Sequence, residues 1–151
     1  MAVYYLDTSA VAKLYHDELG SRRVEELTSE PDRRLLISRL AIVEMHSVLA
    51  IKVRTQAISS VEASALKRRF LADIHSGVFE VLALTPAHYT RAEQFIAAYG
   101  FQRGIRTLDA LQLSVAADLP AGSLDYVVSS DRTLCEVAIA ENLSVINPEN
   151  P

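Results

Sequence analysis

The 151-residue chain has no tryptophan and a single cysteine, Cys135. One cysteine excludes an internal disulfide and fits a reducing compartment. Five glycines and five prolines are too few for a fibrous or low-complexity chain. No apolar run approaches the roughly 20 residues needed to span a membrane. The opening stretch Met1 to Asp7 has no basic region, so no leader peptide is expected and the protein is placed in the cytoplasm. The formal net charge of −4 disfavours binding nucleic acid by a basic surface alone. It leaves room for a nuclease whose acidic residues engage phosphates through divalent cations.

What is present is an ordinary globular composition, half apolar and 23% charged. A chain of this length buries roughly 68–70% of its unfolded surface, so one domain folds without a covalent staple. Short apolar runs at Val3–Leu6, Leu35–Ser38, Val78–Leu84, Asp125–Ser129 and Leu143–Ile146 read as buried strands. Helical spacing follows Asp7, with Ala10, Val11, Ala12, Leu14 and Tyr15, then covers Ser21–Ser29 and Leu40–Arg54. Ser59 to Glu62 caps a helix reaching His75, and Pro86 starts one expected to stop at Gly100, before a loop to Gly104. Thr107–Asp118 and Asp131–Glu141 complete the set. Strands alternating with helices predict one α/β domain with a central, mostly parallel five-stranded sheet flanked by helices on both faces. Residues 1–147 form the domain, and 148–151 a short tail expected to fray.

Ligands of open parallel sheets bind beyond the carboxyl ends of the strands. Asp7 and Asp131 stand at such ends. Each also suits a helix N-cap, and Thr133 to Glu136 offers a rival capping box. Asp109, in the first turn of its helix, also reads as a favourable dipole charge. Glu44 lies in the apolar stretch Leu40-Ala41-Ile42-Val43-Glu44-Met45. Either it is partly buried, and so paired or metal-bound, or it shares a narrow polar stripe with Ser47. Carboxylates converging within ~4 Å repel by about 4 kcal/mol per pair at an effective dielectric of about 20. Such a cluster protonates, pairs with a base or binds a cation. A hard ion such as Mg²⁺ or Mn²⁺ suits oxygen ligands.

Leu6-Asp7-Thr8-Ser9-Ala10, Val43-Glu44, Arg106-Thr107-Leu108-Asp109-Ala110-Leu111-Gln112-Leu113 and Ser129-Ser130-Asp131-Arg132-Thr133-Leu134 together closely resemble the PIN-domain family, and within it the VapC-type toxins of toxin–antitoxin pairs. The resemblance spans essentially the whole chain and is most specific around Asp109. It implies a parallel five-stranded sheet and endonucleolytic cleavage of RNA. Asp7, Glu44, Asp109 and Asp131 match the acids that catalyse the reaction and hold one or two Mg²⁺ or Mn²⁺ ions. Thr8, Ser9 and Ser130 are expected to orient acids, waters or phosphate. Arg106 and Arg132 read first as solvated surface charges, with contact to a phosphate oxygen as the alternative. Family members often carry a further acid and an aromatic after the fourth acid. Here Thr133 and Leu134 stand there, so no fifth ligand is expected. The resemblance also implies a cognate antitoxin and a homodimer.

Other chemistries fit less well. The chain lacks a phosphate-binding glycine loop, zinc spacing and a serine nucleophile elbow. His16, His46, His75 and His88 read as surface or boundary residues. Haloacid-dehalogenase-like phosphoryl transfer needs an acid where Ser9 stands. The non-enzymatic alternative is a PIN-like module that binds RNA or protein without cutting.

Overall fold

A computed structural model describes residues 1–150. The chain runs β1 (Ala2–Leu6), α1 (Thr8–Ala12), α2 (Ser21–Thr28), β2 (Arg33–Ser38), α3 (Arg39–Arg54), α4 (Ser60–His75), β3 (Glu80–Leu82), α5 (Pro86–Arg103), α6 (Thr107–Ala117), β4 (Tyr126–Val128), α7 (Arg132–Ala140) and β5 (Val145–Ile146). The five strands form one sheet in the order β3-β2-β1-β4-β5. Every neighbouring pair is parallel.

Alternation along β1 explains the two cores. Tyr4 and Leu6 pack on one side with Ile37 of β2 and with Val11, Val24, Met45 and Phe70, drawn from α1 to α4. Val3 and Tyr5 pack on the other with Leu36, Val115, Val127 and Leu134, so α6 and α7 cover that face. A strand buried on both faces reads as a continuous apolar run, as Val3–Leu6 does. Among the described residues no helix is long and apolar enough to cross a membrane.

Four expectations need correction. Helix α5 passes through Gly100 and ends at Gly104, whose φ of +68° supplies the left-handed stop. A glycine inside a helix costs only about 1 kcal/mol against alanine, and α5 tolerates it. Helix α1 stops at Ala12, and the next turns close through shorter bonds, such as Leu14 N–H to the Val11 carbonyl at 3.0 Å. Within the tail, Pro148 and Glu149 are held, not frayed. Pro148 is buried. Glu149 Oε1 accepts from Lys13 Nζ at 2.6 Å. Gly20, at φ +87°, lets the Pro148 backbone approach where a Cβ would stand only 3.0 Å away. Finally, His88 is buried at the start of α5. Its Nδ1 accepts from the Thr85 N–H at 2.9 Å, and its Nε2 lies 3.2 Å from Asp118 Oδ2. It closes a helix start, which polarity alone did not suggest.

Candidate functional site

The strand order reverses its direction of growth between β1 and β4, and open parallel sheets bind ligands beyond the carboxyl ends of the strands at such a point. Asp7 follows β1 there and is 5% exposed. Its N–H extends the pairing to the Val128 carbonyl at 3.1 Å. Its carbonyl accepts the first helical bonds of α1, but its side chain caps nothing. Oδ2 instead accepts from Ser9 Oγ at 2.7 Å and Ser129 Oγ at 2.5 Å.

Ser129, fully buried after β4, also accepts the Asp131 N–H at 3.0 Å. Asp131 does cap α7, accepting from the Leu134 N–H at 2.8 Å, which disposes of the rival capping box. Ser9 Oγ accepts the Ser130 N–H at 2.9 Å. Ser130 Oγ is the one buried side-chain polar atom without a hydrogen-bond partner among the described residues.

β2 leads through Ser38, which caps α3, to Glu44. Glu44 is half-buried and does not share the water-facing position of Ser47. Its Oε1 accepts from Thr8 Oγ1 at 3.0 Å and Gln112 Nε2 at 2.7 Å. Asp109 lies in the first turn of α6, and Gln112 one turn later. Arg106, its side chain 80% exposed, reaches Asp109 Oδ2 at 3.4 Å and Asp131 Oδ2 at 3.8 Å. Arg132 points its charge elsewhere, onto Glu136 at 3.0 Å. Glu44, Arg106, Thr107, Leu108 and Asp109 line a cleft of about 310 Å³.

The four acids share one electrostatic field. Burial pushes Asp7 above the usual carboxylate range, against the pull of the Ser129 and Ser9 hydroxyls, and Asp131 adds to the rise. Burial raises Glu44 too, opposed by Gln112 and Thr8 and assisted by Asp7. Asp109 is pushed up to about 6 by burial, then by Asp131 and Asp7, with Arg106 opposing. The nearby Cys135 thiol rises to about 11 through burial and the charges of Asp7 and Asp131, which leaves it inert.

This donor set suits a hard cation. Asp7 Oδ1, Glu44 Oε2 and Asp109 Oδ1 take no side-chain hydrogen bond, because each acid is anchored by its other oxygen. The orphaned Ser130 hydroxyl, one residue before Asp131, is a further unengaged polar atom. As they stand, no three His, Cys, Asp or Glu side chains among the described residues are gathered tightly enough to enclose an ion. Arg106 is the only cation paired with these carboxylates.

Sequence reasoning missed Gln112, Ser129, Tyr5 and Ser38. Gln112 is 1% exposed and interrupts the apolar run of α6. A buried amide needs partners, and that was the available signal. Its partners here are Tyr5, Ser38, Thr8 and Glu44.

The family model described as PIN domain matches residues 4–146. No curated protein shows significant sequence similarity to the chain. Solved structures with similar folds include FitAcB from Neisseria gonorrhoeae, at 20% identity and TM-score 0.69 over 98% of this chain and 99% of that one. VapC20 from Mycobacterium tuberculosis, a sarcin-ricin loop cleaving toxin, has 18% identity and TM-score 0.64 over 88% and 93%. VapBC2 from Rickettsia felis, bound to a DNA fragment from their promoter, has 15% identity and TM-score 0.61 over 96% and 98%.

Proposed function

Because the chain belongs to the PIN domain family, we propose that it is a Mg²⁺- or Mn²⁺-dependent endoribonuclease, the toxin of a toxin–antitoxin pair. The observation that carries this reading is a set of wholly or partly buried carboxylates, Asp7 after β1, Glu44 on α3 and Asp109 on α6, with the charge of Asp7 raising the other two. Asp7, Glu44, Asp109 and Asp131 would hold one or two ions. A bound ion supplies a more acidic water and neutralises charge on the attacked phosphate and the leaving oxygen.

The chain's own residues do the rest. Ser9 and Ser129 fix Asp7 through one oxygen and leave the other for the ion. Thr8 and Gln112 do the same for Glu44. Ser130 Oγ, with no protein partner, holds a water or a phosphate oxygen. Arg106 is exposed and exchanges its contacts with Asp109 and Asp131 for a substrate phosphate. RNA as substrate agrees with a cytoplasmic setting.

The partners proposed are an antitoxin and a second copy of the chain. Exposed Val43 and Ile51 on α3, Val61 and Leu71 on α4, and Ile96 and Phe101 on α5 support contacts with protein. A neighbouring small reading frame encoding a DNA-binding protein would support the toxin reading.

The test is cleavage of a mixed RNA pool by purified, partner-free protein in Mg²⁺, Mn²⁺ or chelator. Cuts that need the metal and vanish in Asp7→Asn and Asp109→Asn support the proposal. Cleavage at the wild-type rate by either variant, or in chelator, overturns it. The second reading, a PIN-like module that binds RNA or protein without cutting, is favoured by one observation. The acids stand apart, with Arg106 between Asp109 and Asp131. RNA binding without metal-dependent cuts would establish it.

A further inference from the structure

Gln112 makes every hydrogen bond its amide can make, and each comes from a different part of the fold. Its Oε1 accepts from Tyr5 Oη at 2.8 Å and from Ser38 Oγ at 2.8 Å. Its Nε2 donates to Thr8 Oγ1 at 2.9 Å and to Glu44 Oε1 at 2.7 Å. Tyr5 belongs to β1 two residues before Asp7, and Ser38 caps the helix that carries Glu44. One amide therefore ties β1, the start of α1, β2 and α3 to α6.

The amide has one sensible orientation. An ionised carboxylate only accepts, so the nitrogen must face Glu44, and the two hydroxyls then donate to the oxygen. Thr8 accepts from Gln112 and passes its own proton to the same oxygen of Glu44, at 3.0 Å. Oε1 is thus held twice and Oε2 takes no side-chain bond.

A purely structural role explains this poorly. Phenylalanine at Tyr5, alanine at Ser38 and methionine at Gln112 would tie the same elements together by packing, with none of the three polar groups left to satisfy, a replacement that is often neutral. Instead, the Tyr5 and Ser38 hydroxyls hold the amide oxygen, and the amide nitrogen and Thr8 hold one oxygen of one acid.

We infer that Gln112 is a positioning residue that fixes the Glu44 carboxylate for metal binding. The inference rests on the proposal that Glu44 is a ligand. Gln112 acts through Glu44 and touches neither ion nor substrate.

Calorimetric titration of Mn²⁺ into the full chain tests it, with unfolding temperature measured in parallel. Gln112→Met should bind Mn²⁺ about 10-fold more weakly than wild type, in the range seen when residues that orient ligands are lost. Glu44→Gln should weaken binding as well. In that background Gln112→Met should cause no further loss. If Gln112→Met fails to fold, the double variant Tyr5→Phe with Ser38→Ala keeps Gln112 but frees its carbonyl, and should still weaken binding several-fold.

Wild-type affinity in folded Gln112→Met would overturn the inference. So would an equal loss with and without Glu44, since the residue would then act elsewhere. If Asp109→Asn abolishes binding while Gln112→Met leaves it intact, only the role of Gln112 falls. If wild type binds no Mn²⁺, the metal reading falls and this inference with it.

Discussion

Two clusters of charge sit on opposite sides of α1, and the chain treats them in opposite ways. At the C-terminal end Lys13 is 3% exposed and lies between Glu18 at 3.1 Å and Glu149 at 2.6 Å. Lys52 closes on Glu18 at 2.8 Å. Burial pushes Glu18 up, but the bonds from Lys52 and Lys13 outweigh it and hold the carboxyl below its ordinary range. At the N-terminal end Asp7, Glu44 and Asp109 all lie above theirs. One exposed arginine is the only cation among those acids. A fold that brings the C-terminal tail back to complete a buried ion pair is able to neutralise carboxylates. Here three of them stay raised instead, by burial first and by the charge of neighbouring acids second, a set that suits the proposed cation.

The largest expected effect breaks the acidic side. Asp7→Asn or Asp109→Asn should lower metal-dependent RNA cleavage by about 100-fold or more, as removal of a group that organises transition-state charge does. Circular dichroism should show the fold unchanged. The matching change on the lysine side should do the reverse. Lys13→Met strands Glu149 and half of Glu18, and should lower stability in urea by about 1–3 kcal/mol while metal affinity stays put.

Acid sharpens the contrast. Burial, then the charges of Asp131 and Asp7, push Asp109 from an ordinary 3.8 up to about 6 in the folded chain. Between those values the folded state holds more protons than the unfolded one, so stability falls as pH rises through this window. Metal-free protein should therefore gain on the order of 1–2 kcal/mol on going from pH 7.5 to 5. Asp7 and Glu44 act in the same direction. The lowered Glu18 acts oppositely, since its stabilisation is present above 4.5 and is lost as pH falls through its folded value. Asp109→Asn should flatten the rise, as followed by unfolding temperature across pH. The smallest effect lies outside both clusters. Ser59→Ala removes the cap of α4 and should cost about 1 kcal/mol in urea, with no change in metal affinity.

Much of this was legible beforehand because it follows from local rules. The five strands, the capping box at Ser59 and Glu62, and the start of α5 at Pro86 all follow from short-range chemistry. Asp7 and Asp131 stood out because strand ends are where parallel sheets bind ligands. What stayed hidden is non-local. Nothing near Lys13 in the sequence announces Glu149, which lies 136 positions away. Gln112 reaches Thr8 across 104 positions and Glu44 across 68. Gly100 looked like a stop because glycine often is one, but Gly104 provided the left-handed residue.

The central claim is that these acids share a cation. The most direct measurement is anomalous scattering from crystals of the partner-free protein soaked in Mn²⁺ at pH 7.5. A shared ion should give a peak about 2.1 Å from carboxylate oxygens of Asp7 and at least one of Glu44, Asp109 and Asp131, with Arg106 displaced. Crystals with the same fold, no peak among the acids and Arg106 still bridging Asp109 and Asp131 would contradict it.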